Sequence, residues 1–97
     1  MASDMVGYSR LMELDEIGVL ERQKSHRREI VDPAIKKHRG KTVKTTGDGM
    51  LILFDSAIEA VHCGVGIQTA MAEREASVVS DNRIRYRVGI NIGDIIL

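Results

Sequence analysis

The amino-acid sequence predicts an α+β fold, a ferredoxin-like βαββαβ core whose four-stranded antiparallel sheet carries its helices on one face. Three observations predict it. Ile84, Tyr86, Val88, Ile90 and Ile92 alternate with polar residues or glycine, the period of a half-buried strand. Two β-rich runs, Lys41–Thr45 and Met50–Phe54, flank the corner Gly47-Asp48-Gly49, as in a hairpin. Two longer segments with near-helical apolar spacing separate these strands from one another and from a short run at the start.

The elements follow in order. Met1–Val6 reads as the first strand and Gly7-Tyr8-Ser9 as a turn, with Ser9 placed to cap a short helix over Arg10–Glu13. Asp15 is placed to begin a longer helix, in which Ile17, Leu20, Ile30 and Ile35 recur at near-helical spacing. Pro33 removes a donor and disfavours helical geometry at Asp32, so the helix bends or restarts there. Gly40 is expected to end the segment as a left-handed cap. After the hairpin, Ser56 caps a helix from Ala57 to about Glu75 whose apolar surface includes Ile58, Val61, Val65 and Met71. Asp81-Asn82 marks a loop before the alternating strand. Gly93-Asp94 then turns the chain, and Ile95-Ile96-Leu97 begins a further strand with an edge prone to self-association.

Composition narrows the function classes. The 97 residues make one small domain, and 14 acidic residues cancel 14 basic ones, so no net field recruits nucleic acid or an anionic membrane. The single cysteine, Cys63, rules out an internal disulfide and reads as a small buried hydrophobe in a reducing compartment. No apolar run is long enough to span a bilayer and no signal-peptide pattern opens the chain, so the expected location is cytoplasmic. Arg22, Lys24, His26, Arg27 and Arg28 read as a solvated helix face, and Arg83, Arg85 and Arg87 as solvent-facing or dimer-lining. His26, His38 and His62 lack a partner at metal-ligand spacing and read as surface or packed residues.

The predicted topology selects the candidate site. In a βαββαβ sheet the first strand lies beside the third and parallel to the second. Its carboxyl end then faces the turn between strands two and three, which brings Asp4 to Asp48. Two converging carboxylates repel one another unless a cation neutralises them, and hard oxygen ligands suit Mg²⁺ or Mn²⁺. Unsatisfied amides of Gly7, Tyr8 and Ser9 at a helix start would suit phosphate oxygens. Gly47 and Gly49 let the backbone turn tightly around Asp48. By spacing alone, an aspartate between two glycines is more often a plain turn residue; the topology that brings Asp4 to it puts the two readings level.

A family resemblance adds to this reading. Asp4-Met5-Val6-Gly7-Tyr8-Ser9-Arg10-Leu11-Met12 resembles the opening metal motif of the class III adenylate/guanylate cyclase catalytic domain. Lys44-Thr45-Thr46-Gly47-Asp48-Gly49 resembles its second metal motif, and Val88 to Asp94 its next strand and turn. The resemblance implies that Asp4, Asp48 and the carbonyl of Met5 bind two Mg²⁺ or Mn²⁺ ions. It implies that Gly7, Tyr8 and Ser9, with Gly47 of the second motif, hold the substrate's phosphates. Lys44 falls where the family reads adenine, which implies ATP over GTP, cyclic AMP and pyrophosphate as products, and a homodimer that shares its sites. It further implies that residues 1–97 are the amino-terminal part of a domain that continues beyond Leu97. The groups that stabilise the transition state belong to that continuation, so this portion is expected to be inactive alone. A non-catalytic nucleotide- or metal-binding, or dimerising, relative stays open as the alternative. A diguanylate cyclase is disfavoured, because the hairpin reads Thr-Gly-Asp-Gly and not Gly-Gly-Asp/Glu-Glu-Phe.

Overall fold

The computed structural model describes residues 1–92. Strand β1 (Ala2–Met5) leads into helix α1 (Tyr8–His26), a π-helical turn (Arg27–Val31) and helix α2 (Asp32–Lys37). Strands β2 (Lys41–Thr45) and β3 (Met50–Leu53) form the hairpin, followed by α3 (Ala57–Arg74), a 3₁₀ turn (Ser80–Asn82) and β4 (Tyr86–Gly89). The sheet order is β2-β3-β1-β4 with every neighbouring pair antiparallel, so the predicted βαββαβ core is present. The expected turn at Gly93-Asp94 and strand from Ile95 lie outside the described residues.

β1 is a central strand. Ser3 pairs with Met50 of β3 on one side and with Val88 of β4 on the other. Alternation then sends Met1, Met5, Met50 and Ile52 into the core beneath the helices, while Ala2, Asp4 and Leu51 lie on the other face. α3 closes that core with Ala60, Cys63, Gly64, Ile67 and Met71. Each fully buried Ile or Met there contributes roughly 1.5–3 kcal/mol relative to exposure. The face α3 turns to the sheet is rich in small residues, and a Cβ at Gly64 would make ordinary contact with Val88 Cγ1 at 3.4 Å. The buried helix face is rotated from the expected one. Ile58, Val61 and Val65 remain exposed, and only Met71 of the expected set is buried.

Several element ends differ from expectation, each for a local reason. α1 starts at Tyr8, with Gly7 as its N-cap at φ 64°, so Ser9 is already inside the helix and caps nothing. Asp15 does begin a second helical stretch: its backbone leaves helical geometry (φ −161°, ψ 79°) and its Oδ1 accepts from Gly18 N at 3.1 Å. Pro33 opens α2, and the π-helical turn before it absorbs the missing donor. At the end of α2, Arg39, and not Gly40, takes the left-handed conformation (φ 59°). Gly40 N then donates to Ile35 O at 2.8 Å and Arg39 N to Lys36 O at 3.2 Å, a Schellman cap. Gly40 is needed for space, because a Cβ there would come within 2.7 Å of the Phe54 ring.

A polar cluster is buried between α1, α3 and β4. Glu75, 4% exposed, accepts from Arg22 Nη2 at 2.6 Å and from Ile84 N at 3.1 Å. His26 Nε2 lies 3.7 Å from the same oxygen, and its ring meets Tyr86 edge-on at 6.4 Å. Arg22 and His26 are thus not part of a solvated face, as the basic run suggested. The strand starts late for the same reason: Ile84 gives its N–H to Glu75, and β4 begins at Tyr86; it ends at Gly89, short of Ile92. His38 also finds a carboxylate, its Nδ1 lying 2.8 Å from Glu59 Oε2.

Two outcomes follow. Left-handed geometry costs a non-glycine residue about 1–2 kcal/mol, partly offset by the freedom glycine adds to the unfolded chain. Arg39→Gly is therefore expected to raise stability by about 0.5–1 kcal/mol in urea denaturation. Burial lowers the His26 pKa below its ordinary 6.5, and the Glu75 carboxylate offsets only part of that shift. The unfolded chain then binds the proton more readily. The stability due to neutral His26 is complete above the unfolded value and is lost as pH falls below it. Melting temperature should drop between pH 7.5 and pH 5.5, and His26→Gln should shrink that drop.

Candidate functional site

Asp4 sits near the carboxyl end of β1, and its side chain points away from the helices. Asp48 lies in the turn from Thr46 to Gly49 that joins β2 to β3. Because Ser3 pairs with Met50, the strand end and the turn meet at one edge of the sheet. Both aspartates, together with Lys44, Thr46 and Gly49, line one open cleft of about 300 Å³. The predicted convergence is present, and it follows from the register of β1 on β3.

The turn is braced from three sides. Thr46 N donates to Gly49 O at 2.8 Å, and Gly49 N donates to Thr46 Oγ1 at 3.0 Å. Neither Gly47 nor Gly49 has positive φ, so a left-handed backbone is not what they provide. They provide room. A Cβ at Gly49 would lie 2.7 Å from Thr46 Oγ1, and one at Gly47 would lie 3.2 Å from the Tyr8 hydroxyl. Buried Gln23 of α1 donates from Nε2 to Gly47 O at 2.8 Å. Tyr8 and Gln23 thus connect the first helix to the Asp48 turn. Sequence reasoning missed Gln23. The signal available was a polar residue between Val19 and His26 on the helix face that turns inward.

The start of α1 lies directly after β1. No side chain caps it and no acidic residue occupies its first turn, so the amides of Tyr8 and Ser9 stand where an α-helix has no internal acceptor for them. Gly7 permits this abrupt entry through its positive φ. Gly7 and Ser9 are not among the residues lining the Asp4–Asp48 cleft; Tyr8 reaches toward it only through Gly47. Met5 has its side chain in the core, so only its main chain is available to the site.

Two cations stand at the site: Lys44 lines the cleft with both aspartates, and Arg87 bonds one of them. Arg87, opposite Asp4 across the β1–β4 pair, donates from Nε to Asp4 Oδ1 at 2.8 Å. The hydrogen bond and charge of Asp4, with a further contribution from Asp48, push the Arg87 pKa up. Arg87 is exposed, as expected, but it is engaged with a candidate ligand. Among the described residues no three His, Cys, Asp or Glu side chains are grouped so as to hold a metal ion. Two carboxylates in an open cleft still fit a hard divalent cation whose remaining ligands are main-chain carbonyl, water or substrate oxygen. Among the described residues no helix is long and apolar enough to cross a membrane.

Comparison with known proteins supplies a frame for this geometry. The family described as the adenylate and guanylate cyclase catalytic domain matches residues 1–97. A Rhizobium meliloti (strain 1021) protein named "Putative adenylate cyclase 3" is 42% identical over 97 residues, covering 100% of this chain and 16% of that protein. The crystal structure of an adenylate/guanylate cyclase/hydrolase from Silicibacter pomeroyi superposes with a TM-score of 0.91 at 58% identity, over 99% of this chain and 56% of that one. The crystal structure of the guanylyl cyclase Cya2 gives a TM-score of 0.73 at 27% identity, over 88% of this chain and 48% of that one. The chain therefore spans about a sixth of the curated relative and about half of each solved structure.

The brace on the Asp48 turn can be measured. Gln23→Leu leaves the Gly47 carbonyl without its partner, and is expected to cost about 1–2 kcal/mol of stability in urea denaturation.

Proposed function

Because the chain belongs to the adenylate and guanylate cyclase catalytic-domain family, we propose that it is the metal-binding portion of an adenylate cyclase. In the complete protein the reaction is attack of the ribose 3′-hydroxyl on the α-phosphate of ATP, giving cyclic AMP and pyrophosphate. The observation that carries this reading is the shared cleft: Asp4 and Asp48, distant in sequence, line it together.

In this reading Asp4 and Asp48 hold two ions, Mg²⁺ or Mn²⁺, and the Met5 carbonyl adds a main-chain ligand. Bound there, the ions would neutralise phosphate charge and polarise the reacting oxygens. Gly7, Tyr8 and Ser9 present amides to the β- and γ-phosphates, and Gly47, packed against the Tyr8 hydroxyl, joins them as part of the substrate site. The support is the uncapped first turn of α1 immediately after β1. Lys44 reads adenine and so selects ATP over GTP. All five residues of β2 are exposed, which leaves the Lys44 ammonium available to a nucleotide held by a second copy, as a homodimer requires. A triphosphate substrate argues for the cytoplasm.

The test uses a protein that continues through the rest of the family domain. With Mn²⁺ and ATP it should form cyclic AMP, and Asp4→Ala or Asp48→Ala should each lower the rate by at least about 10²-fold with the circular dichroism unchanged. Lys44→Glu should move the preference from ATP toward GTP. The 97-residue chain alone should form no detectable cyclic AMP. Robust turnover by it would contradict a need for groups beyond it. An inactive longer protein that still dimerises would favour a non-catalytic partner instead.

A further inference from the structure

Carboxylates that share a cleft raise the free energy of the site unless positive charge is near. Lys44 lines the cleft, but the cation bonded to a carboxylate is Arg87. It stands directly across the β1–β4 pair from Asp4, and a single bond from Nε to Oδ1, 2.8 Å long, joins them. The other arginines on the approach to this strand are committed elsewhere. Arg83 donates to the carbonyls of Val78 and Ala76, and Arg85 to the Ser80 hydroxyl. Among the described residues Arg87 has no other hydrogen-bond acceptor than Asp4.

This bond is built to be exchanged. It uses one guanidinium nitrogen and not the two-pronged arrangement that makes arginine–carboxylate pairs strong. Its side chains are 70% and 45% exposed, so water can solvate both ends as they part. A divalent ion brings twice the charge to the same oxygen and can engage Asp48 as well, which a lone guanidinium on Asp4 does not.

We propose that Arg87 is a displaceable counter-cation. It occupies the Asp4 carboxylate until a divalent ion takes its place, so metal entry and release of Arg87 are one exchange. The affinity for metal is therefore set partly by a residue that binds none. This rests on Asp4 and Asp48 being the metal site. A purely structural cross-strand pair would instead affect sheet stability and leave metal affinity alone.

The experiment is a Mn²⁺ titration of the chain without nucleotide, followed by the free-ion electron paramagnetic resonance signal, on wild type, Arg87→Gln, Arg87→Lys, Asp48→Asn and the Arg87→Gln/Asp48→Asn double variant. Thermal melts establish that each variant is folded. Removing the competing charge in Arg87→Gln should tighten Mn²⁺ binding by about three- to tenfold at low salt. Arg87→Lys, which keeps the charge, should stay near wild type, and Asp48→Asn should weaken binding in the wild-type and Arg87→Gln backgrounds. If Asp48→Asn weakens binding but Arg87→Gln does not tighten it, the exchange is refuted and the metal site survives. If Asp48→Asn changes nothing, the metal-site reading fails and the exchange with it.

Discussion

β1 is hydrogen-bonded on both sides, to β3 through Ser3 and Met50 and to β4 through Ser3 and Val88, and the candidate site depends on that double register. Side chains alternate across a strand, so a slip of one residue would send Asp4 into the core and Met5 to the open face. The buried methionines oppose the slip. Met1, Met5 and Met50 lose their contact with the helices if the register moves, and a carboxylate would have to be buried in their place. Apolar packing on one face thus holds a polar site on the other.

The helices share in this arrangement through buried polar contacts of Gln23, His26 and Glu75. Glu75 accepts from Arg22 in α1 and from the N–H of Ile84 just ahead of β4, so one carboxylate ties three elements together. Because a buried charge is costly unless it is paired and hydrogen-bonded, the cluster specifies one arrangement of α1 against β4. Gln23, one helical turn along from Val19 on the same inward face, carries that arrangement to the Asp48 turn. The two carboxylates are thereby held by different elements within one network: Asp4 by the sheet and Asp48 by a turn braced from α1.

Much of the fold was legible because it depends on period and on local chemistry. Alternation at Ile84, Tyr86 and Val88 marks a strand side facing the helices, and these three are indeed more buried than Arg85 and Arg87. Asp15 was legible as a helix start, because its carboxylate meets the amide of Gly18 within its own segment. Ser56 likewise caps α3 by accepting from Glu59 N. Misreadings arose where the deciding atom belonged to another element. Gly40 is there for the Phe54 ring, the N–H ahead of the start of β4 was traded to Glu75, and α3 buries Ala60, Cys63 and Gly64 in place of Ile58, Val61 and Val65. Nothing in the sequence marks Arg39 for a left-handed backbone; the Schellman bonds impose it.

By itself, the sequence determined the order of elements, the family motifs around Asp4 and Asp48, and through topology the edge of the sheet where they meet. Periodicity and turn chemistry are short-range properties, and connection rules leave few ways to assemble them. Only the tertiary structure decided what surrounds that edge: Arg87 on Asp4, Gln23 on Gly47, and Tyr8 against the Asp48 turn. Those contacts join residues from separate elements. Which side chains meet there depends on register and helix rotation, and these are settled by packing of the whole core.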